Sequence, residues 1–273
     1  EVIAPTRDTL DLADPDSIIR TIQAVKPQLI INPAAYTAVD KAESEPELAM
    51  AINGIAPGIF AEQAKKLGIP LIHYSSDYVF DGTKRGPNGE MAPYTEDDIP
   101  NPINVYGKTK LAGEHSIQGS GCDYLILRTS WVYSMFGKNF LLTMLRLAKD
   151  RDELRLVNNQ WGAPTWAGWI AEATSEMLCE EKHRNEVNDI FNFVNSEYTT
   201  WYDFAQQIFK EALKFGLISK IPKLHGISFE DYAKGVNRPV NSTMSTQKLL
   251  LARFCPPPKW ADSLHICLDK SHS

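Results

Sequence analysis

Three short apolar runs recur along the first half of the chain, each ending in small or polar residues. They are "PQLIIN" (Pro27 to Asn32), "PLIHYSS" (Pro70 to Ser76) and "DYLILRTS" (Asp123 to Ser130). Apolar runs of this length have the pattern of strands buried on both faces. Between them stand amphipathic stretches long enough to serve as crossovers. "DPDSIIRTIQAVKP" has Asp14 as N-cap and Pro27 as terminator. The stretch from Glu45 to Gly68 has Pro46 in its first turn and Gly68 as its stop, with Pro57 set to kink or interrupt it. Strand and helix alternating in this order dictate parallel pairing with right-handed crossovers, so the expected fold is a doubly wound parallel α/β sheet.

From Asn139 the texture changes. "NFLLTMLRLAKD" reads as a helix, "ELRLVNNQWGAPT" as a strand and loop, "WAGWIAEATSEMLCEE" as a helix and "DIFNFVN" as a strand. "TTWYDFAQQIFKEALKFG" reads as a helix capped by Thr199 or Thr200, and a proline-punctuated tail follows. The expected division is residues 1–138 as a nucleotide-binding domain and residues 139–273 mainly as a smaller substrate-binding lobe. Some segments of the second part return to the first sheet. A length of 273 residues suffices for such a core.

A net charge of −6 gives no electrostatic reason for a nucleic-acid partner, which needs clustered Lys and Arg. Cys122, Cys179, Cys255 and Cys267 lie far apart, with no zinc or disulfide spacing, so no metal is expected and a cytoplasmic location is. No apolar run has membrane-spanning length.

In open α/β sheets ligands bind beyond the carboxyl ends of the strands, where this chain places Asn32, Ser75, Ser76, Asp77, Thr129, Ser130 and Trp131. Tyr106 opens the helix before the third run, so it can face the same crevice, and Lys110 follows it by about one helical turn. By itself the pair means little: 10 Tyr among 18 Lys give roughly 0.7 such spacings by chance. Its chemistry is nevertheless that of a carbonyl reductase. A tyrosine donates a proton to the developing alkoxide, an ammonium favours the phenolate, and a strand-end hydroxyl such as that of Ser76 holds the substrate oxygen.

The segment "HYSSDYVFDGTKRGPNGEMAPYTEDDIPNPINVYGKTKLAGEH" closely resembles the extended short-chain dehydrogenase/reductases, and within them the dTDP-4-dehydrorhamnose reductases. The resemblance extends through "INPAAYTAVDKAESEPELAMAIN", "LRTSWVYSMFGKNFLLTMLRLA", "NNQWGAPT" and "NRPVNSTM", nearly the whole chain. It implies a Rossmann-like fold and NAD(P)H-dependent reduction of the C4 ketone of dTDP-4-dehydro-L-rhamnose, a nucleotide-sugar substrate, and it leaves room for a homodimer. It makes Tyr106 the proton donor. Lys110 is implied to lower the tyrosine's pKa and bind the nicotinamide ribose, and Ser76 to orient the ketone, a role the adjacent Ser75 could take over. Asp77 and Tyr78 are read as packing or capping the loop after the strand.

The same resemblance assigns Ala34 and Ala35 to close backbone approach to the cofactor, and Asp11 with Leu12 to the adenine. It makes Trp131 a sugar-stacking candidate. By their own chemistry, Asn139 begins a helix whose amide end can receive a pyrophosphate, and Arg238 can pair with a nucleotide phosphate. Tight packing, a core tryptophan, a plain N-cap and a surface ion pair are the respective alternatives for Ala34 and Ala35, Trp131, Asn139 and Arg238. Arg7 stands where a basic residue accommodates a 2′-phosphate, which favours NADPH over NADH, unless it is simply a surface residue.

No G-x-x-G-x-x-G loop follows any expected strand, and "EVIAPT" reads as the family's second strand. The expectation is a sheet without the family's central first strand and phosphate loop, the given sequence omitting an N-terminal segment of a longer protein. Two rivals remain from the sequence alone: a non-catalytic subunit resembling the β subunit of methionine adenosyltransferase, and a reductase or epimerase of another nucleotide sugar.

Overall fold

The computed structural model describes residues 1–179, 188–232 and 235–270. Four parallel strands form its main sheet in the order β1 (Ile30–Asn32), β2 (Leu71–Ser76), β3 (Tyr124–Thr129) and β4 (Asp189–Asn192). Ile30 pairs with Leu71, Leu71 with Tyr124, and Leu125 with Asp189. The strand β4 comes from the second half of the chain. Helices cover both faces, the doubly wound arrangement that the alternating pattern dictates.

Alternate strand residues feed two cores. Ile30, Leu71 and Ile126 pack with Ile18 and Ile22 of helix α1 (Pro15–Val25), Phe60 and Ala64 of α2 (Ala56–Leu67) and Ile117 of α3 (Val105–Ser120). On the other face Ile72, Leu127 and Phe191 pack with Met144 of α4 (Phe140–Asp150) and with Phe204 and Ile208 of α5 (Trp201–Lys214). Each large apolar side chain so buried contributes about 1.5–3 kcal/mol. Asp14 caps α1 by accepting the Asp16 amide at 3.0 Å, and Thr200 caps α5 by accepting that of Asp203 at 3.1 Å.

The interruption near Pro57 takes a definite form. Pro46–Met50 is α-helical, Ala51–Ile55 is a π turn, and α2 resumes at Ala56 with Pro57 in its first turn. Proline has no N–H for the carbonyl four residues back, so the ladder changes register there at little cost.

The helix expected from "WAGWIAEATSEMLCEE" spans Ala167–Cys179, and its last two residues lie outside the described ones. Glu153–Val157 pairs in parallel with Lys223–Ile227, away from the main sheet.

One expectation is corrected. Residues 1–6 are exposed and form no strand, and Thr6 instead opens a turn that receives the Thr9 and Leu10 amides at 3.0 and 2.9 Å. An extended run becomes a strand only beside a ladder partner. Among the described residues none pairs with the outer edge of β1, where Ile31 is 43% exposed.

Candidate active site

At the carboxyl end of β2 the chain turns sharply through Asp77–Val79, with the Ser76 Oγ accepting the Tyr78 N–H at 3.1 Å. Helix α3 is pressed against this turn from its first residue. Asn104 caps the helix by accepting the Gly107 N–H at 2.8 Å, and a Cβ on Gly107 would lie 2.2 Å from the Tyr78 carbonyl oxygen. Only glycine permits that approach. It brings the Tyr106 ring edge-on to Tyr78, centroids 5.4 Å apart, and the Tyr106 phenol into hydrogen-bonding reach of Ser76.

Desolvation pushes the Tyr106 phenol up to about 12; the Ser76 hydrogen bond opposes this and the Asp77 charge adds to it. Tyr106 therefore holds its proton at neutral pH, the form a general acid needs. The expected lowering by Lys110 is absent from these influences, and the geometry gives the reason. Lys110 is buried, and its Nζ donates to the Tyr74 carbonyl at 2.7 Å and lies 3.3 Å from His73 Nε2, contacts made on β2. Burial lowers the Lys110 pKa to about 8, with Glu114 one turn further along α3 partly opposing the fall.

Asp77 was read as a loop cap, yet it belongs to this cluster. Its Oδ1 accepts the Ser76 hydroxyl proton at 3.0 Å, while its Oδ2 is buried without a hydrogen bond. Burial raises its pKa to about 6, which the Ser76 hydrogen bond offsets only in part. Ser75 points the other way, donating to Glu114, whose carboxylate also receives Arg128 Nε at 3.0 Å and Nη2 at 2.7 Å. Ser75 is thus committed to a buried ion pair and is in no position to trade roles with Ser76.

Trp131 has a left-handed backbone, φ 47°, costly for a residue with a bulky side chain. Its ring stacks on Trp201 at 3.5 Å between centroids and 9° between planes, with Gly162 packed so closely that a Cβ there would lie 2.5 Å from the indole. The ring is half-buried, as a stacking platform for a ligand requires.

The remaining candidates are more dispersed. Asn139 caps α4, accepting the Leu142 N–H at 3.1 Å, and its amide is held by the Ser134 and Phe136 carbonyls. Arg238 pairs with Asp40 at 2.6 Å. Arg7 is exposed, Asp11 accepts the Ala13 amide at 3.0 Å, and Leu12 packs against the α1–α2 core. Ala34 is exposed and Ala35 half-buried in the loop that leaves β1. The sequence reading missed Asn53, which clamps that loop to α3. Asn53 accepts the Tyr36 N–H at 2.8 Å and donates to the Tyr36 carbonyl at 3.0 Å and to Thr109 Oγ1 at 3.2 Å. A buried Asn at a π turn is the signal that could have found it.

The family described as RmlD substrate binding domain matches residues 1–273. The dTDP-4-dehydrorhamnose reductase of Escherichia coli K12 is 44% identical over 250 residues, 92% of this chain and 82% of that protein. The chain belongs to the dTDP-4-dehydrorhamnose reductase family. Its relative from Burkholderia thailandensis, of the same name, is 37% identical over 98% of this chain and 90% of its own length. A crystal structure of the Bacillus anthracis dTDP-4-dehydrorhamnose reductase in complex with NADP superposes with a TM-score of 0.89 at 30% identity, covering 99% of this chain and 90% of that one. The Thermus thermophilus UDP-glucose 4-epimerase, at 20% identity and a TM-score of 0.74, shares the fold.

The chain's own residues fit one end of the dinucleotide this family uses. An ammonium has three donors, of which Lys110 directs one to Tyr74 and one toward His73. The small residues Ala34 and Ala35 leave the β1 loop open to close approach. No glycine-rich phosphate loop occurs within the 273 residues.

Proposed function

We propose that this chain carries out the NAD(P)H-dependent reduction of the C4 ketone of dTDP-4-dehydro-L-rhamnose to dTDP-L-rhamnose. The observation that carries the reading is the junction of Ser76, Asp77 and Tyr106 at the carboxyl end of β2, with Lys110 buried one turn behind Tyr106. NADPH, when bound, supplies the hydride. Lys110 and the β1 loop with Ala34 and Ala35 are the groups placed to hold its nicotinamide ribose. Arg7, Asp11 and Leu12 are assigned to the adenosine end.

The remaining steps belong to the side chains. Tyr106, protonated at neutral pH, gives its phenolic proton to the ketone oxygen as negative charge develops there. Ser76 steadies that oxygen and the phenol together. Its proton rests on Asp77 Oδ1, so it first turns from Asp77 to the ketone. Asp77 Oδ2, buried and unpartnered, is suited to accept a sugar hydroxyl, which fixes the ring facing Tyr106. Trp131, held rigid by Trp201, offers an apolar face to the deoxysugar or base. Asn139 and Arg238 remain candidate contacts for the pyrophosphate, each requiring release from its present partner. The substrate class is thus a nucleotide sugar. A homodimer is compatible with this reading, and a cytoplasmic location is proposed. Among the described residues no helix is long and apolar enough to cross a membrane.

The test is oxidation of NADPH by the purified protein in the presence of dTDP-4-dehydro-L-rhamnose, with dTDP-L-rhamnose identified as product. Absence of ketone reduction under conditions where NADPH binds would reject the reading.

A further inference from the structure

The reaction just described gives no role to His73, a buried titratable group. His73, in the middle of β2, is 0% exposed. Its Nε2 lies 3.3 Å from Lys110 Nζ, and its Nδ1 lies 3.1 Å from the amide nitrogen Nδ2 of Asn32 on the neighbouring strand β1. Nothing in strand formation asks for an imidazole here, since the adjoining strand residues Leu71 and Ile72 are apolar and buried. A buried polar ring costs free energy unless its nitrogens are satisfied.

The hydrogen-bond inventory fixes the state of the ring. An ammonium only donates, so when Lys110 is charged His73 Nε2 must accept. A neutral imidazole that accepts at Nε2 carries its proton on Nδ1, and Asn32 must then turn its amide oxygen toward that proton. A doubly protonated ring would place two cations in contact. Burial and the Lys110 charge both hold the His73 pKa well below its usual value. The groups acting on this pair are few: Glu114 from α3 acts on Lys110, Lys110 acts on His73, and Asn32 from β1 is neutral.

We infer that His73 is a positioning residue for the reduction, its Asn32-held Nδ1–H tautomer gripping the Lys110 ammonium from within the sheet. With Tyr74 O and His73 Nε2 taking two of the three N–H groups, the third is the one left for the cofactor ribose. The inference rests on the proposed reductase reading, because that reading gives Lys110 its task. It adds that the ammonium is aimed and kept charged by a neutral histidine acting through Lys110, and His73 itself touches no substrate.

The test has a readout that needs neither substrate nor cofactor. In protein labelled with 15N in the imidazole rings, the His73 resonances are expected to show a protonated Nδ1 and a bare Nε2, unchanged from pH 5 to pH 7.5. The second arm compares His73→Leu, which removes the acceptor, with His73→Gln, which returns an acceptor oxygen near the place of Nε2. His73→Leu is expected to lower kcat about tenfold. It should also shift the basic limb of kcat/KM by about one pH unit to lower pH, since the ammonium loses a partner that favours it. His73→Gln is expected to restore most of the limb. A loss of packing alone would lower the amplitude and leave the limb in place, and that result overturns the inference, as does a wild-type ring protonated on Nε2. If His73→Leu does not fold, the wild-type ring spectrum decides: a protonated Nδ1 with a bare Nε2 supports the inference, and a ring protonated on Nε2 overturns it. A wild-type protein with the expected tautomer but no ketone reduction rejects the reductase reading alone.

Discussion

The Ser76 hydroxyl donates to Asp77 Oδ1 at 3.0 Å while accepting the Tyr78 backbone N–H at 3.1 Å, so its single proton is already committed before any ketone arrives. In the reduction Ser76 must therefore turn that proton from Asp77 to the ketone oxygen, where it acts as a hydrogen-bond donor. Its replacement by Ala should lower kcat/KM by roughly 10²-fold, a loss typical of one oxyanion donor. Ser76→Thr keeps the hydroxyl and should retain most of the activity. Steady-state NADPH oxidation by the two variants checks this.

Tyr106→Phe removes the phenolic proton placed beside Ser76. The rate of reduction should fall by about 10²–10⁴-fold. NADPH binding, followed by quenching of protein fluorescence, should change by no more than a few-fold. Equal turnover by wild type and variant would remove Tyr106 from the mechanism.

The pH dependence follows from two groups of opposite sign. The Tyr106 phenol, pushed up to about 12, stays protonated through the alkaline range, whereas the Lys110 ammonium, lowered to about 8, does not. The basic limb of kcat/KM is thus expected to fall as pH rises through about 8 and to report Lys110. A limb above pH 10 in the free enzyme would contradict this assignment.

Asp77 couples activity to stability. Its pKa is raised from 3.8 to about 6, so its contribution to stability is present below the unfolded value and is lost as pH rises through about 6. At pH 7 the buried carboxylate costs on the order of 3 kcal/mol by this linkage. Asp77→Asn should therefore raise the Tm at pH 7, leave it nearly unchanged at pH 4, and reduce activity. Thermal melts at the two pH values, alongside the rate assay, test the sign directly.

Behind the site, Glu114 and Arg128 form a buried bidentate pair. Removing one partner strands the other charge, so Glu114→Leu should destabilise the fold by about 3–5 kcal/mol. The double variant Glu114→Leu/Arg128→Leu should recover part of that loss. Urea unfolding of the single and double variants measures both.

Much of this architecture was legible in local sequence. The apolar runs at Ile30–Asn32, Leu71–Ser76 and Tyr124–Thr129 became the first three strands, and Asp14, Gly68 and Thr200 ended or began their helices, because strand burial and helix capping are set by neighbours in the chain. The run "EVIAPT" failed as a strand for the converse reason: a strand needs a partner that its own residues do not specify. Asn53 and His73 were invisible because their meaning lies in residues far along the chain, Tyr36 and Thr109 for one, Asn32 and Lys110 for the other.

Residue types and spacing by themselves determined that Tyr106 and Lys110 share one helical face, and that Ser76 ends a buried strand. Tertiary structure decided which groups meet. Gly107 allows α3 to close on the turn after Ser76, Ser75 is drawn off to Glu114, Asp77 is brought in, and Lys110 is turned toward Tyr74 and His73. The physical reason is that periodicity fixes the direction of a side chain relative to its own element. The partners a buried polar atom finds, and hence its protonation, depend on how separate elements pack.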